Sequence, residues 1–328
     1  MTRILVTGAS GFVGSAICEA LVARGLPVTG LDRRPSPFMQ APFLREMDVI
    51  TAETGDTDAL RHHLAGRRVT HVVHAAALTP DAHMETEAPD RIMAVNVAAT
   101  CGLMASARAA GVERLMFLSS IAIYGAARPS AGGRFHESDS PQPETLYGIS
   151  KGAAEQALGR LARLGGPDLQ IVRLGPLFGP FEHAGPARSL LSPHHQITEA
   201  ARTGCACVLP RAVPADWLYA RDAGTRIADL LLAPTQAHST FNLGGGTITT
   251  LMDWCAALAA HLPGFRWRVD AAASTVRYGY ATDRPALDMA RLDAVSAPRT
   301  TSLPLAAADY LAWLERFTPL PLTSEFSS

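Results

Sequence analysis

The chain has 328 residues, 48% of them hydrophobic and 18% charged, with a formal net charge of -1 at pH 7. That length spans roughly one or two domains and supports a large core, and the mixed acidic and basic residues leave no basic stripe to neutralise nucleic-acid phosphate. No stretch approaches the ~20 unbroken apolar residues of a membrane span, and Cys18, Cys101, Cys205, Cys207 and Cys255 show no metal-ligand spacing, so they read as reduced and structural.

Met1 runs within a few residues into a predicted strand, which leaves no room for a signal peptide and points to a cytoplasmic protein. That strand, within "RILVTG", stops at Gly8, Gly11 and Gly14. "SAICEALVARG" continues with helical spacing, Ala16, Leu21 and Val22 facing a sheet and Gly25 ending the helix. Glycines on a strand-to-helix turn leave the first helical amides bare, and the helix dipole favours negative charge there, so a phosphate can approach. The same turn also serves close packing of helix on strand. The next strand, "LPVTGLDRR", ends in Asp32, eighteen positions after Gly14, where an acid can accept hydrogen bonds from the ribose hydroxyls of an adenine dinucleotide. A carboxylate there favours NAD, whereas Arg33 and Arg34 beside it offer a counter-charge to the extra phosphate of NADP.

Further on, "FLSSIAIYG" sets Ser119 and Ser120 at a strand end, and "TLYGISK" places Tyr147 and Lys151 one helical turn apart on the same face. A phenol ordinarily titrates near ~10, and a neighbouring ammonium favours the phenolate, so Tyr147 can serve as a base. A tyrosine stacked on a lysine stem has the same spacing, and Ser119 reads as turn chemistry.

Taken together, "TGASGFVG", "HVVHAAAL" (71–78), "NVAATCGLMASARAAGVERLMFLSS" (96–120) and "TLYGISK" resemble the extended short-chain dehydrogenase/reductase family, in its NAD-dependent epimerase/dehydratase branch, over most of the chain. The resemblance implies an NAD cofactor held by Gly8, Gly11, Phe12, Val13, Gly14 and Asp32. It also implies contacts from Asp48 and Val49, as the adenine pair after the third strand, from the small-residue turn Ala75, Ala76 and Ala77, and from Asn96, Tyr147 and Lys151. Asp48 alternatively reads as a helix cap and Asn96 as a satisfied core amide. By the same resemblance Ser120 orients a substrate hydroxyl, Tyr147 removes its proton, and Lys151 lowers the tyrosine pKa and holds the nicotinamide ribose.

Departures from the family pattern bear on the substrate. Family members that eliminate water or carbon dioxide carry acids directly after the catalytic serine or threonine, and Ile121 and Ala122 stand there, so reversible oxidation, with or without epimerisation, remains. In "IVRLGPLFGP" Pro176 replaces the asparagine that contacts a nucleotide sugar. In "PADWLYARDAG" Ala215 replaces the arginine that contacts its diphosphate, with Arg211, Arg277 and Arg284 as candidate substitutes. The insert between these segments holds His183, His194, His195 and Arg188, without the recurrent third ligand a metal needs. Thr79, Arg188, Trp217 and Arg284 are the candidate substrate contacts.

The alternation of strand and helix over the first ~175 residues predicts an α/β fold, a doubly wound parallel sheet of Rossmann type with a smaller C-terminal substrate lobe. Residues 1–175 and 214–246 are assigned to the cofactor domain, 176–213 and 247–328 to the lobe. "ITTLMDWCAALAAHLPG" predicts a helix capped by Thr249 or Thr250, with Met252 and Trp254 in the core. The resemblance also suggests a homodimer, formed through the helices that would hold residues 91–110 and 147–164. The expected function is NAD-dependent oxidation of a secondary hydroxyl on a carbohydrate-type small molecule, a free sugar or sugar acid. The alternatives are a UDP-sugar 4-epimerase that retains NADH and a non-catalytic dinucleotide sensor; no metal, nucleic acid or membrane is expected as a partner.

Overall fold

Seven short runs rich in Val, Leu and Ile become the strands of one parallel sheet: β1 (Ile4–Thr7), β2 (Val28–Asp32), β3 (Asp48–Thr51), β4 (His71–His74), β5 (Arg114–Ser120), β6 (Asp168–Leu174) and β7 (Thr240–Leu243). The structure, a computed structural model, describes residues 2–34, 38, 41–130, 132–188, 190–280 and 282–317. The strand order is β7-β6-β5-β4-β1-β2-β3, so the order reverses at β1, and ligands of such sheets bind outside the carboxyl ends at that reversal. Register sets Thr7 beside Leu31 and His74, His74 beside Phe117, and Ser120 beside Leu174, which brings the carboxyl ends to one edge.

Strands buried on both faces need helices on both. Phe12–Val22 and Ala220–Leu232 cover one face, and they approach so closely that a Cβ on Gly224 would lie 2.3 Å from the Ala16 carbonyl oxygen. Thr57–Gly66, Ala99–Ala109 and Leu146–Arg163 cover the other, through Leu60, Leu64, Leu103, Met104, Ala107, Ala154 and Leu158. Each such leucine, fully buried, contributes about 1.5–3 kcal/mol. The first helix ends as the sequence suggests, with Gly25 in the left-handed region at φ 69°.

The first core continues into residues from Phe178 to Leu314, where helices Pro193–Thr203, Leu251–His261 and Leu303–Phe317 pack. Thr250, and not Thr249, caps Leu251–His261, in a reciprocal box with Asp253. Trp254 is fully buried, but Met252 is 39% exposed, a correction to its expected core position: two positions before Trp254 on a helix lies near the opposite face. Pro89–Ala109 forms a continuous helical run of 21 residues with mean hydropathy 1.3 in its most apolar stretch, long and apolar enough to cross a membrane by length and composition. Asp90, Arg91 and Asn96 interrupt that run in the sequence, and here its Leu103, Met104 and Ala107 are buried under the sheet.

Candidate active site

At the β1 turn, Gly8 takes φ 68°, and a Cβ there would lie 2.7 Å from the Ala76 nitrogen, so the turn and the loop after β4 touch backbone to backbone. A Cβ on Gly14 would fall 2.0 Å from the Gly8 carbonyl oxygen. Gly11 is the N-cap of Phe12–Val22 and provides no side-chain cap, so the amides of Phe12, Val13 and Gly14 face outward without an intrahelical acceptor. This bare helix start fits a pyrophosphate.

Asp32 ends β2, half-exposed. Its carboxylate accepts from the amides of Ser10 at 3.1 Å and Arg33 at 2.7 Å, and its remaining lone pairs can accept ribose hydroxyls. Arg33 lies 3.9 Å from Glu53. Asp48 and Val49 do not follow the third strand; they open it, opposite Thr29 and Gly30, far from the carboxyl edge. Asp48 pairs with Arg67 at 2.6 Å, so the adenine assignment is corrected: the residues after β3 are Ala52, whose amide donates to the Asp32 carbonyl at 3.0 Å, and Glu53.

Ala75, Ala76 and Ala77 leave the end of β4 as half-buried small residues facing Gly8. Asn96 sits in a π-helical turn, Ala94–Ala98, 1% exposed. Its amide donates to the Leu78 carbonyl and the Ser150 hydroxyl, both at 3.0 Å, and its oxygen accepts from the Leu78 amide at 2.8 Å. Asn96 thus takes the form of its alternative reading, a satisfied core amide, and it secures the loop after β4.

Ser120 closes β5, and Tyr147 and Lys151 lie in the first turns of Leu146–Arg163, whose N-cap is Thr145. Glu85 adds a carboxylate at this helix start, accepting from the Leu146 amide at 2.9 Å. Burial raises the Tyr147 pKa and the Tyr280 phenol nearby adds to the rise; the hydrogen bond from Ser120, the charge of Arg188 and a hydrogen bond from Thr79 oppose it. Burial brings the Lys151 ammonium down to about 7, with Glu155 pulling the other way. That ammonium donates to the Leu118 carbonyl at 2.7 Å and lies 5.9 Å from the Tyr147 ring centre. Burial is the largest influence on the phenol, so its pKa moves up and not down as expected. Ile121 and Ala122 are buried, leaving no second acid beside Ser120.

Thr79 and Arg188 are bridged backbone to backbone, Thr79 donating to the Ala187 carbonyl at 2.9 Å. The Arg188 guanidinium lies 5.5 Å from the Phe12 ring centre and pairs at 2.6 Å with Glu182, a buried carboxylate that also accepts from the Ser192 amide at 2.7 Å. Arg284 stacks 3.8 Å over Tyr280, the phenol that acts on Tyr147. Trp217 does not join them. It is 5% exposed and packed on His194 and Tyr278, which corrects it to a core residue because its ring closes an aromatic cluster with Phe178 and Trp254. Of the insert histidines, His183 packs on Phe38, His194 is fully buried and His195 bonds Tyr310 at 2.6 Å; no group of three or more metal-ligating side chains occurs among the described residues. Glu182, Tyr280 and Glu85 carry no local sequence signal, since their partners are 6 to 133 positions away.

Residues 4–244 match the NAD dependent epimerase/dehydratase family. The dTDP-L-rhamnose 4-epimerase of Burkholderia thailandensis is 27% identical over 301 residues, 79% of this chain and 81% of that protein. The sterol demethylase protein B of Methylococcus capsulatus is 30% identical over 261 residues, 78% and 74% of the two chains. Among solved structures, the UDP-glucose 4-epimerase of Thermus thermophilus in complex with NAD superposes with a TM-score of 0.78 at 25% identity, covering 96% of this chain and 99% of that one. The chain belongs to the NAD-dependent epimerase/dehydratase family and is an NAD-dependent enzyme of the extended short-chain dehydrogenase/reductase type.

Proposed function

We propose that this enzyme oxidises a secondary hydroxyl of a free sugar or sugar acid, with Ser120, Tyr147 and Lys151 as its catalytic residues. NAD, when bound, supplies the two-electron acceptor. Gly8, Gly11, Phe12, Val13 and Gly14 would hold its pyrophosphate, and Asp32 its adenosine ribose. Ser120 orients the substrate hydroxyl by a hydrogen bond, and the Tyr147 oxygen takes its proton. Lys151 places a cation one helical turn from the phenol and stabilises its ionised form. Arg188 and Arg284 flank the same cleft and receive a carboxylate or sugar hydroxyls.

The observation that carries the substrate reading is what stands at the two nucleotide-sugar positions. Pro176 has no side-chain amide, and Ala215 is 2% exposed, its backbone bridged to Thr249, so neither offers a nucleoside diphosphate a side-chain hydrogen bond or a charge. Arg211 does not replace the missing charge freely: it is paired with Asp283. The second reading, a nucleotide-sugar 4-epimerase that keeps its NADH, draws on the relatives, which include a UDP-glucose 4-epimerase from Vibrio cholerae 32% identical over 181 residues. Screening free sugars, aldonates and UDP-sugars for NADH appearance, with isomer analysis of the products, separates the two. Turnover of UDP-sugars alone overturns the first.

A further inference from the structure

A polar seam runs beneath the cofactor turn where an apolar core would be expected. Thr7 at the end of β1 and His74 at the end of β4 are register partners, and Thr100 packs below them from Ala99–Ala109; all three are at most 1% exposed. The Thr7 hydroxyl lies 2.7 Å from His74 Nδ1, and His74 Nε2 lies 2.8 Å from the Thr100 hydroxyl. Two further bonds fix the direction of every proton. Thr100 spends its only hydroxyl proton on the Asn96 carbonyl at 2.9 Å, so its oxygen can only accept, and Nε2 must carry hydrogen. The Thr7 oxygen accepts from the Ala76 amide at 3.3 Å, which leaves the Thr7 proton for a bare Nδ1.

We infer that His74, held as the neutral Nε2–H imidazole by Thr7 and Thr100, is a positioning residue for NAD: it fixes the Thr7 hydroxyl that anchors the Ala76 amide, and so sets the loop wall against Gly8. The imidazole stays neutral because burial and the Lys151 charge bring its pKa down to about 3. A second cation beside Lys151 is thereby avoided. The seam also reaches the catalytic helix. Asn96, whose carbonyl ends the chain of bonds, clamps Leu78 with its side chain and bonds the Ser150 hydroxyl, which donates to the Tyr147 carbonyl at 2.8 Å. An apolar trio of the same size would avoid the desolvation of four polar atoms, and it would leave the Ala76 amide without its anchor. The inference rests on the NAD dependence of the family and not on the substrate reading.

Two measurements test it on the full chain. Thr7→Val keeps shape and removes both bonds of the hydroxyl, whereas Thr7→Ser keeps both. Calorimetric titration with NAD is expected to show affinity about tenfold weaker or more for Thr7→Val and within about threefold of the parent for Thr7→Ser. Nitrogen-15 spectra of histidine-labelled parent protein, with the His74 signal assigned by its loss in His74→Phe, are expected to show hydrogen on Nε2 and none on Nδ1, and this reading stands even where Thr7→Val fails to fold. Parental NAD affinity in Thr7→Val, equal weakening in Thr7→Ser, or a proton on Nδ1 would each overturn the inference.

Discussion

Replacing Gly14 by alanine tests whether the glycine turn is shaped for NAD or merely tolerates it. The added Cβ begins 2.0 Å from the Gly8 carbonyl oxygen, whereas ordinary van der Waals contact starts at 3.4 Å. No flexible side chain can give way. The Gly8 carbonyl already accepts the Gly11 amide at 2.9 Å, and the Gly8 amide donates to the Leu31 carbonyl at 2.8 Å, so relief must come from shifting the helix start. Overpacking of this kind costs ~1–3 kcal/mol, and the better helix propensity of alanine returns up to ~1 kcal/mol of it. The same shift draws the outward amides from their ligand. A charge-assisted bond is worth ~1.5–3 kcal/mol, so losing one weakens NAD by about tenfold to a hundredfold. Gly159→Ala is the control, because a Cβ there meets only the end of the Arg163 side chain, at 3.8 Å. It should raise stability by roughly 0.5–1 kcal/mol and leave NAD affinity as it was. Both proteins are titrated with NAD in a calorimeter and melted in parallel. Gly14→Ala with parental affinity and melting temperature would show that the turn is looser than this geometry and refute the argument.

Tyr147→Phe should abolish turnover by about 10²–10⁴-fold while NAD still binds, and near-parental activity in the NADH assay removes Tyr147 from the mechanism. Asp32→Ala should weaken NAD more than NADP, since it removes a ribose acceptor together with a repulsive charge; a parent that binds NADP more tightly means that Arg33 and Arg34 dominate. His74 and His194 are brought down to about 3 by burial, from an ordinary 6.5. The unfolded chain therefore takes up their protons first, so their share of stability is present above pH 6.5 and is lost as pH falls from 6.5 toward 3. Each contributes a slope of about 1.4 kcal/mol per pH unit inside that window. The melting temperature should drop steadily between pH 6.5 and 5, and a flat profile there contradicts the buried neutral assignment. Millimolar UDP added with NAD should leave the melting temperature nearly unchanged. A ligand at a hundred times its dissociation constant stabilises by ~2.7 kcal/mol, readily seen in such a melt, and a clear shift with UDP restores the nucleotide-sugar reading.

What the sequence discloses follows the range of the interactions involved. Gly8, Gly11, Gly14 and Asp32 belong to one strand–turn–helix–strand unit, and Tyr147 and Lys151 to one helical turn, so spacing alone brings them together. Asp48 is misplaced because the resemblance sets it after the third strand, whereas it begins β3 and the loop follows only after Thr51. Trp217 and Met252 depart from expectation in opposite directions for one reason. Whether a large side chain is buried depends on what packs over it, and for Trp217 the partners His194 and Tyr278 lie in distant segments. The His74 seam joins residues 26 to 67 positions apart, and nothing in "HVVHAAAL" announces that its second histidine is fully enclosed.

The electrostatics of the cleft bear on which substrates it can turn over. Burial moves the Tyr147 phenol up and brings the Lys151 ammonium down to about 7, so burial opposes the charged form of both groups. Arg188 is a cation that draws the phenol back down, and its charge is partly balanced by Glu182, itself buried and held by Ser192. A carboxylate arriving at Arg188 thus meets an arginine already shared with an anion, while sugar hydroxyls meet no such competition and leave the field on Tyr147 intact. Arg284 is different: its guanidinium rests on the Tyr280 ring, which holds it in place without cancelling its charge. Under the proposed sugar or sugar-acid reading, an acid group would be received at Arg284 and the reacting hydroxyl would lie between Ser120 and Tyr147, with Arg188 kept for the phenolate.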